Sequence, residues 1–210
     1  MSSIIKVDTI QNQSGANIIS ESSNTITVGA SGDTITVPSG ATLGGAGTVD
    51  LSSATVTLNA NMKNTPAFQA YLSSDQTITE LADVKIQFDT EFFDTDNCYD
   101  NSTNYRFTPT VAGKYLVYTS MRITASADSD MRNTLAMVYK NGSRINYFGT
   151  NYRNGNCRIA FCAGSMIVDM NGSSDYLEIL AFADTVSGNN PVVVGGSTDH
   201  AIFGAYKIIE

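Results

Sequence analysis

The chain has 210 residues, a formal net charge of −8 and a charged fraction of only 15%. This length corresponds to one or two domains, and the low charged fraction excludes a disordered protein held open by charge repulsion. The acidic balance argues against nucleic acid and anionic membranes as partners, because both attract basic surfaces.

Short β-branched triplets and an absence of aromatic residues distinguish the first 67 residues; all nine Phe and ten Tyr residues lie between Phe68 and Tyr206. Four such triplets occur, at Ile26–Val28, Ile35–Val37, Val49–Leu51 and Val56–Leu58. Each alternates apolar and polar residues, which predicts a half-buried strand. Strands this short bury too little apolar surface to offset their ordering entropy. The segment is therefore either a stalk in which several copies intertwine or a flexible tether.

Longer alternating segments follow in the aromatic part of the chain. The predicted strands are Lys114–Ile123, Thr134–Lys140, Arg144–Phe148, Ile159–Met170, Tyr176–Phe182 and Ala201–Ile209. Asn141-Gly142 separates the second and third strands and is a strong signal for a two-residue hairpin, and Asn171-Gly172 closes the fourth. Many strands with Gly and Asn turns between them, and no amphipathic helix pattern of useful length, predict an all-β antiparallel sandwich or jelly roll.

The aromatic part also resembles the C1q-like domains of the tumour-necrosis-factor-like jelly-roll superfamily. The matching motifs are a Pro-Ala-Phe-x-Ala strand at Pro66–Ala70, a Val-x-Phe-Asp strand at Ile86–Asp89, Tyr-Asp-x-x-Thr-x-x-x-Phe at Tyr99–Phe107, Pro-x-x-Gly-x-Tyr with one extra residue at Pro109–Tyr115, a Lys-Asn-Gly hairpin at Val138–Ser143, and closing strands at Ser174–Phe182 and Ala201–Ile208. The motifs keep the family's order from end to end.

This resemblance implies a ten-stranded jelly roll that assembles as a homotrimer around a three-fold axis. A stalk without aromatic residues needs partners to form a core, which agrees with a trimer. The chain departs from the family at Thr103-Asn104, where the family has Thr-Gly, so that turn is expected to differ. It also has no collagen-like stem.

The N-terminal segment resembles a different group, the tail-fibre and other structural proteins of marine bacteriophages, especially those that infect cyanobacteria. The shared residues are Lys6, Val7, Asp8, Thr9, Ile10 and Gln11, followed by Gly15, Ile18 and Ile19. The resemblance implies that the first five attach the chain to other virion proteins. The start of the chain lacks the basic and apolar regions of a secretory signal peptide, and no apolar stretch is long enough to span a bilayer. We therefore expect a virion protein that is made in the host cytoplasm and not inserted into a membrane.

Three segments are predicted: a virion-anchoring segment at 1–22, a β-repeat stalk at 23–64 and a C1q-like jelly-roll head at 65–210. The leading hypothesis is a homotrimeric bacteriophage fibre whose head binds a host-surface glycan or protein during adsorption. One alternative is a capsid head-fibre or decoration protein, which differs only in where the N terminus attaches. The other is a secreted C1q-like binding module.

No arrangement of catalytic residues is recognisable, so we do not expect an enzyme. The single histidine, His200, offers little as a partner for a nucleophile, and three cysteines lack the spacing of a zinc site. One acidic segment contains Asp94, Asp96 and Asp100, whose carboxylates are of the type that calcium prefers, and some C1q-like trimers carry calcium near their axis. The alternative is a solvated acidic turn in which Asp100 caps backbone amides. No other cofactor is expected.

Receptor contacts are expected in loops, which tolerate variation while the sandwich holds them in place. The two loops richest in polar and aromatic residues are Tyr147–Asn156 and Asp184–Asn190. Tyr and Arg are favoured anchors because each combines a large contact area with a polar end. The alternative is that the tyrosine at 152 packs across a subunit boundary and the arginine at 153 pairs with an acid. The candidate receptor-binding residues are Tyr152, Arg153, Asn189 and Asn190.

Overall fold

The computed structural model describes residues 9–11, 13–15, 17–22, 25–28, 32–39, 41, 63–152, 155–197 and 200–208. These residues form strands and loops, and no helix occurs among them. The all-β fold class predicted from the sequence is therefore confirmed. The chain divides into two compact units, Met1–Val56 and Thr57–Glu210.

The described part of the first unit contains one small antiparallel sheet. Its strands are Thr9–Gln11 (β1), Asn17–Ser22 (β2) and Thr25–Val28 (β3), in the order β1-β2-β3. Ile19 pairs with Val28 across the second junction. The sheet contains residues from both sides of the predicted boundary between residues 22 and 23.

The two Ile-Thr-Val triplets differ in structure. Ile26–Val28 lies in β3, as predicted, whereas Ile35–Val37 lies in a described stretch that forms no strand. The strand predicted for the second triplet is therefore wrong. Gly32, with a φ of +94°, precedes it, and Pro38, which has no N–H to donate, follows it. The triplets at 49–51 and 56–58 lie outside the described residues.

Six apolar side chains in the described part of the first unit are exposed: Ile10, Ile19, Ile26, Val28, Ile35 and Val37. A single three-stranded sheet offers one layer, and a layer buries its apolar face only against another. This exposure is what an intertwined stalk would require, and the trimeric stalk stays a prediction.

The described residues of the second unit form two antiparallel sheets that pack face to face. The β10 sheet contains Ala67–Tyr71 (β4), Gln76–Thr77 (β5), Thr90–Asp94 (β7), Gly113–Thr124 (β10), Ile159–Met170 (β13), Val192–Val193 (β15) and Ala201–Lys207 (β16). The β11 sheet contains Val84–Lys85 (β6), Tyr99–Asp100 (β8), Arg106–Phe107 (β9), Met131–Lys140 (β11), Ser143–Asn151 (β12) and Leu177–Thr185 (β14).

The long strands are divided between the two sheets, with β10, β13 and β16 in one and β11, β12 and β14 in the other, as in a jelly roll. In the β10 sheet, β10 lies between β13 and β16, and β4 and β7 continue beyond β16. In the β11 sheet, β11 lies between β12 and β14. The described residues of this unit contain thirteen strands where the resemblance implies ten, and five of the thirteen are only two residues long.

The alternation of β10 follows the prediction. Tyr115, Val117, Met121 and Ile123 are buried, whereas Leu116, Tyr118 and Arg122 are partly exposed. The predicted hairpin between β11 and β12 is also confirmed: Asn141 and Gly142 have φ values of +52° and +76°, as a two-residue turn of the favoured twist requires.

An aromatic stack joins the two sheets near the start of β4. The Phe68 ring centroid lies 4.5 Å from that of Tyr99, 4.6 Å from that of Phe107 and 4.8 Å from that of Phe203. Phe68 and Phe203 belong to the β10 sheet, whereas Tyr99 and Phe107 belong to the β11 sheet. All four rings are buried, so the stack holds the two layers together.

The sandwich has two distinct ends. At the Pro66 end, β4 begins and the Lys207 N–H donates to the Pro66 carbonyl oxygen. At the Asp130 end, β10 finishes at Thr124 and β11 begins at Met131. The twelve residues of β10 separate the ends by roughly 35 Å.

Replacing Phe68 by Ala is expected to lower the free energy of unfolding by about 3–5 kcal/mol, because it leaves a cavity among three other rings. Ile145→Ala, at a side chain that is 41% exposed, serves as the control and should change stability by less than about 0.5 kcal/mol. Urea unfolding of both full-length variants at one protein concentration measures the difference. Equal losses would contradict a central role for the stack.

Candidate functional site

The prediction that residues 147–156 and 184–190 are loops is wrong in part, because residues 147–151 belong to β12 and residues 184–185 to β14. The ends of the two segments lie together at the Asp130 end, where Arg132 on β11 contacts both. Its Nη1 lies 3.1 Å from Asp184 Oδ1, at the end of β14. Its carbonyl oxygen accepts a hydrogen bond from the Tyr152 N–H. The beginning of β11 therefore fixes the positions of both loops.

Tyr152 is partly buried, and its side chain packs against the hydrophobic core of its own chain. This contact differs from the alternative that placed it across a subunit boundary. Packing reduces the ring area that a receptor can reach, and the binding role of Tyr152 stays a prediction. Arg153 lies outside the described residues.

Asp130 organises the second loop. Its carboxylate accepts hydrogen bonds from the Ser187 N–H at 2.7 Å, the Ser187 hydroxyl at 2.8 Å and the Ser126 hydroxyl at 3.3 Å. Burial alone would raise the pKa of Asp130, but these hydrogen bonds outweigh burial and hold the pKa below its usual value. The buried carboxylate thus ties the β10–β11 connection to the loop that follows β14.

Asn189 and Asn190 are exposed on this anchored loop. The Asn189 side-chain amide donates to the Ser126 hydroxyl at 3.3 Å, and Asn190 Oδ1 accepts from the Glu80 N–H at 3.0 Å. The structure therefore brings these two predicted residues together and presents them to solvent from fixed positions.

Asn190 also lines a hollow of about 370 Å³ at the end of β10. Arg122 and Thr124 of β10 form its polar side, and Val192 and Val194 form its apolar side. Arg122 Nε and Thr124 Oγ1 are buried and have no hydrogen-bond partner among the described residues. A buried unpaired polar group costs about 1–3 kcal/mol, so the hollow is suited to a polar group supplied by another molecule.

The outer face of the β10 sheet, which points away from the core, is apolar over a broad area. Phe161 is 65% exposed and Ile167 is 56% exposed on β13, and their register partners on β10 are Arg122 and Leu116. The other exposed apolar residues of this sheet include Phe92, Phe93, Ile159 and Tyr206. Exposed apolar side chains on one face of a sheet favour contact with another molecule.

One ring on this face is held rigidly. The Tyr118 hydroxyl donates to Gln69 Oε1 at 2.8 Å, and the ring crosses β16 at Gly204. A Cβ atom at residue 204 would lie 2.8 Å from Tyr118 Cε2, so only glycine permits this close approach.

The three acids considered for calcium do not form a shared site. Asp94 accepts from the Tyr99 N–H at 2.7 Å, Asp96 from the Thr95 hydroxyl at 2.6 Å, and Asp100 from the Thr103 N–H at 2.9 Å. No group of three or more His, Cys, Asp or Glu side chains among the described residues is arranged to hold a metal ion. The donor set does not fit calcium.

Asp100 instead caps its own turn, which was the alternative derived from the sequence. The Thr103 N–H, together with the Asn104 and Ser102 groups, holds the pKa of Asp100 well below its usual range. Asn104, which replaces the family's glycine, donates from both its backbone and its side-chain amide to Asp100 Oδ2. The asparagine at this position therefore takes part in the hydrogen bonds that cap the turn.

Nucleophilic chemistry finds little support among the described side chains. Burial raises the pKa of the Cys98, Cys157 and Cys162 thiols, which disfavours the reactive thiolate. His200 Nδ1 lies 3.1 Å from the Gly195 carbonyl oxygen.

In the described part of the chain, no helix is long and apolar enough to cross a membrane.

The anchoring residues are placed only in part. Thr9 and Ile10 lie in β1 and are exposed, whereas Lys6, Val7 and Asp8 lie outside the described residues. Their predicted attachment to virion proteins stays a prediction.

Sequence reasoning missed Asp130 and Arg122. The only signal for Arg122 was a cation on the outward-facing register of an otherwise apolar strand. Asp130 had no signal of its own, because its partners Ser126 and Ser187 meet it only in the folded chain.

The sequence matches no protein-family model and no curated protein. Solved structures do match it. The globular domain of zebrafish complement 1qA protein is 14% identical, with 68% of this chain and 97% of that chain covered and a TM-score of 0.48. Murine APRIL at pH 8.0 is 8% identical over 68% of this chain and 98% of that chain, with a TM-score of 0.50. Eiger TNF from S. frugiperda is 11% identical over 68% of this chain and 91% of that chain, also with a TM-score of 0.50. The last two matches establish the predicted C1q/TNF-like jelly-roll fold.

Replacing Asp130 by Asn should destabilise the chain near neutral pH and much less in acid. The folded pKa of Asp130 lies below its unfolded value of about 3.9. Its stabilisation is therefore present above that pH and is lost as the pH falls through the folded pKa. Thermal unfolding of both chains across this range measures the effect. Asp128→Asn is the control, since the Asp128 side chain is 86% exposed; a pH-independent loss in the Asp130 variant would refute the hydrogen-bonded carboxylate.

Proposed function

We propose that this chain is the subunit of a homotrimeric bacteriophage fibre. Its N-terminal segment attaches to the virion, and its C-terminal jelly roll binds a host-surface receptor during adsorption, without catalysis. The observation that carries the proposal is a C1q/TNF-like jelly roll whose β10 sheet leaves a broad apolar face uncovered.

The apolar face supports self-association. Phe161, Ile159 and Ile167 alternate along β13 on the side away from the core, and such a surface is stabilised when another molecule covers it. A second copy is the occupant that the resemblance to C1q-like domains implies. The unpaired Arg122 Nε and Thr124 Oγ1 at the rim of this face also favour a covering molecule, since it can supply hydrogen-bond partners.

The positions of the start of β4 and the exposed loop at opposite ends of the sandwich support receptor binding. In the second unit, β4 begins at the Pro66 end, whereas the loop with Asn189 and Asn190 lies at the Asp130 end. Loops held at one end of a rigid sandwich are suited to recognition. Attachment through residues 1–22 rests on the resemblance of Lys6–Gln11 to virion proteins, and location on the particle follows from it.

Phe161→Asp is expected to dissociate the trimer, because a charge in an apolar interface loses its hydration without gaining a partner. Light scattering should then give a mass near one 22.4 kDa chain in place of three. Ile145→Asp, which places the same charge at an exposed position of the β11 sheet, should leave the trimer intact. A wild-type mass of one chain would contradict the proposal directly.

Replacing Lys6, Val7, Asp8, Thr9 and Ile10 by Ser is expected to leave a trimeric chain that no longer joins the particle, because the anchoring contacts are removed while the jelly roll is unchanged. Immunogold imaging of particles assembled with each chain measures incorporation and shows whether the label lies on the tail or the capsid. Incorporation of the replaced chain at the wild-type level would rule out this anchor.

A further inference from the structure

We propose that a notch on the outer face of the β11 sheet binds one sugar ring of a host-surface glycan. The inference rests on the proposed receptor-binding function and names its ligand class and its residues. The notch lies on β11 and β12 and has a volume of about 400 Å³, within the range of about 300–1,000 Å³ that is typical of small-molecule sites.

The register of the two strands frames the notch. Tyr147, Gly149 and Asn151 follow one another at two-residue intervals on β12 and therefore face the same side. Gly149 pairs with Leu135, and Asn151 pairs with Asn133. An aromatic ring thus stands at one end and two carboxamides at the other, roughly 13 Å apart along the strand. Leu135 provides an apolar floor between them.

Gly149 keeps this floor open. A Cβ atom at this position would lie 2.7 Å from Leu135 Cδ2 and would also overlap the Thr134 carbonyl oxygen. The close approach of β12 to β11 therefore requires glycine, and the space between the tyrosine ring and the carboxamides holds no side chain of residue 149.

Tyr147 and Arg144 form the other wall. Tyr147 is 56% exposed, which leaves a ring face available for contact. Arg144 Cζ lies 5.8 Å from the centroid of that ring, within cation–π distance, and Arg144 Nη1 lies 3.7 Å from Met137 Sδ. The guanidinium is thus held beside the ring with donors available at the edge of the notch.

A pyranose fits this chemistry. One face of a sugar ring carries C–H groups that pack on an aromatic ring and on Leu135, while its hydroxyls need amide and guanidinium partners such as Asn133 and Arg144. Among the described residues, no acidic side chain lines the notch, although the whole chain carries a charge of −8. The lining therefore accepts neutral hexoses and tolerates a sugar carboxylate.

The position of the notch is compatible with the trimer. It opens on the β11 sheet, whereas the uncovered apolar face belongs to the β10 sheet. Three copies would then present three accessible notches, and simultaneous engagement would strengthen weak single-site binding.

The test is binding of free neutral hexoses, N-acetylhexosamines and uronic acids to the full-length chain, measured by ligand-observed NMR. A hexose has about a dozen non-hydrogen atoms, so a dissociation constant on the order of 1 mM is expected for the best ligand. Tyr147→Ala should weaken binding roughly tenfold or more, because it removes the stacking surface. Tyr147→Phe, which keeps the ring, should stay within about twofold of wild type, and Ile145→Ala on the same strand is the matched control.

Every outcome of this experiment either supports or overturns sugar binding at the notch. Binding that is lost in Tyr147→Ala and kept in Tyr147→Phe and Ile145→Ala supports the notch, provided that light scattering shows an unchanged trimer. Binding that is unaffected by Tyr147→Ala overturns it. If no sugar binds while the wild-type chain still blocks particle adsorption to host cells, the notch fails and the receptor-binding function stands. If the chain neither binds sugars nor blocks adsorption, both fail.

Discussion

The stacking of Phe68 between the two sheets is the contact on which the rest of the head depends. Phe68 comes from β4, whereas Tyr99 and Phe107 come from two-residue strands that hydrogen bonding alone could hold only weakly. The Tyr99 hydroxyl donates to the Phe88 carbonyl oxygen at 3.0 Å, so the stack also fixes the segment before β7. The first 67 residues have no aromatic side chain to build such a contact, and Ile10, Ile19, Ile26, Val28, Ile35 and Val37 remain exposed.

The large aromatic residues of the interior fill the core between the two sheets. The outer faces of the sheets differ in structure. On the β10 sheet, Tyr118 is locked across Gly204 onto Gln69, which makes the apolar face stiff as well as exposed. Ordering a stiff face on association costs little side-chain entropy. On the β11 sheet, Gly149 has no side chain to fill the space beside Leu135, and this space forms the notch. Glycine thus permits a tightly packed ring on the apolar face of one sheet and a cavity on the other.

The sequence predicted what depends on local pattern. The alternation of β10 and the Asn141-Gly142 hairpin are both confirmed, because strand period and left-handed backbone preference are properties of neighbouring residues. The strand at Ile35–Val37 was wrong, because a triplet becomes a strand only when another segment pairs with it. Tyr152 was chosen as an exposed anchor by residue type, but its ring packs inward, whereas Tyr147 on the same predicted loop is exposed. Which of two nearby tyrosines faces solvent depends on the register of β12 with β11, which the sequence does not display.

The acidic residues illustrate why composition is a poor guide to the site. Asp94, Asp96 and Asp100 lie within seven positions of one another, and together with Asp130 they are the type of residue that suggests metal binding. In the folded chain, Asp100 accepts several hydrogen bonds from its own turn, and Asp130 accepts two from Ser187 on the loop after β14. A carboxylate committed in this way stabilises a turn and leaves little capacity for a ligand. The lining of the notch on β12 consequently consists of amides, a hydroxyl, one tyrosine ring, one leucine and one arginine, without an acid among the described residues, whereas the hollow at the Asp130 end also includes Asp75.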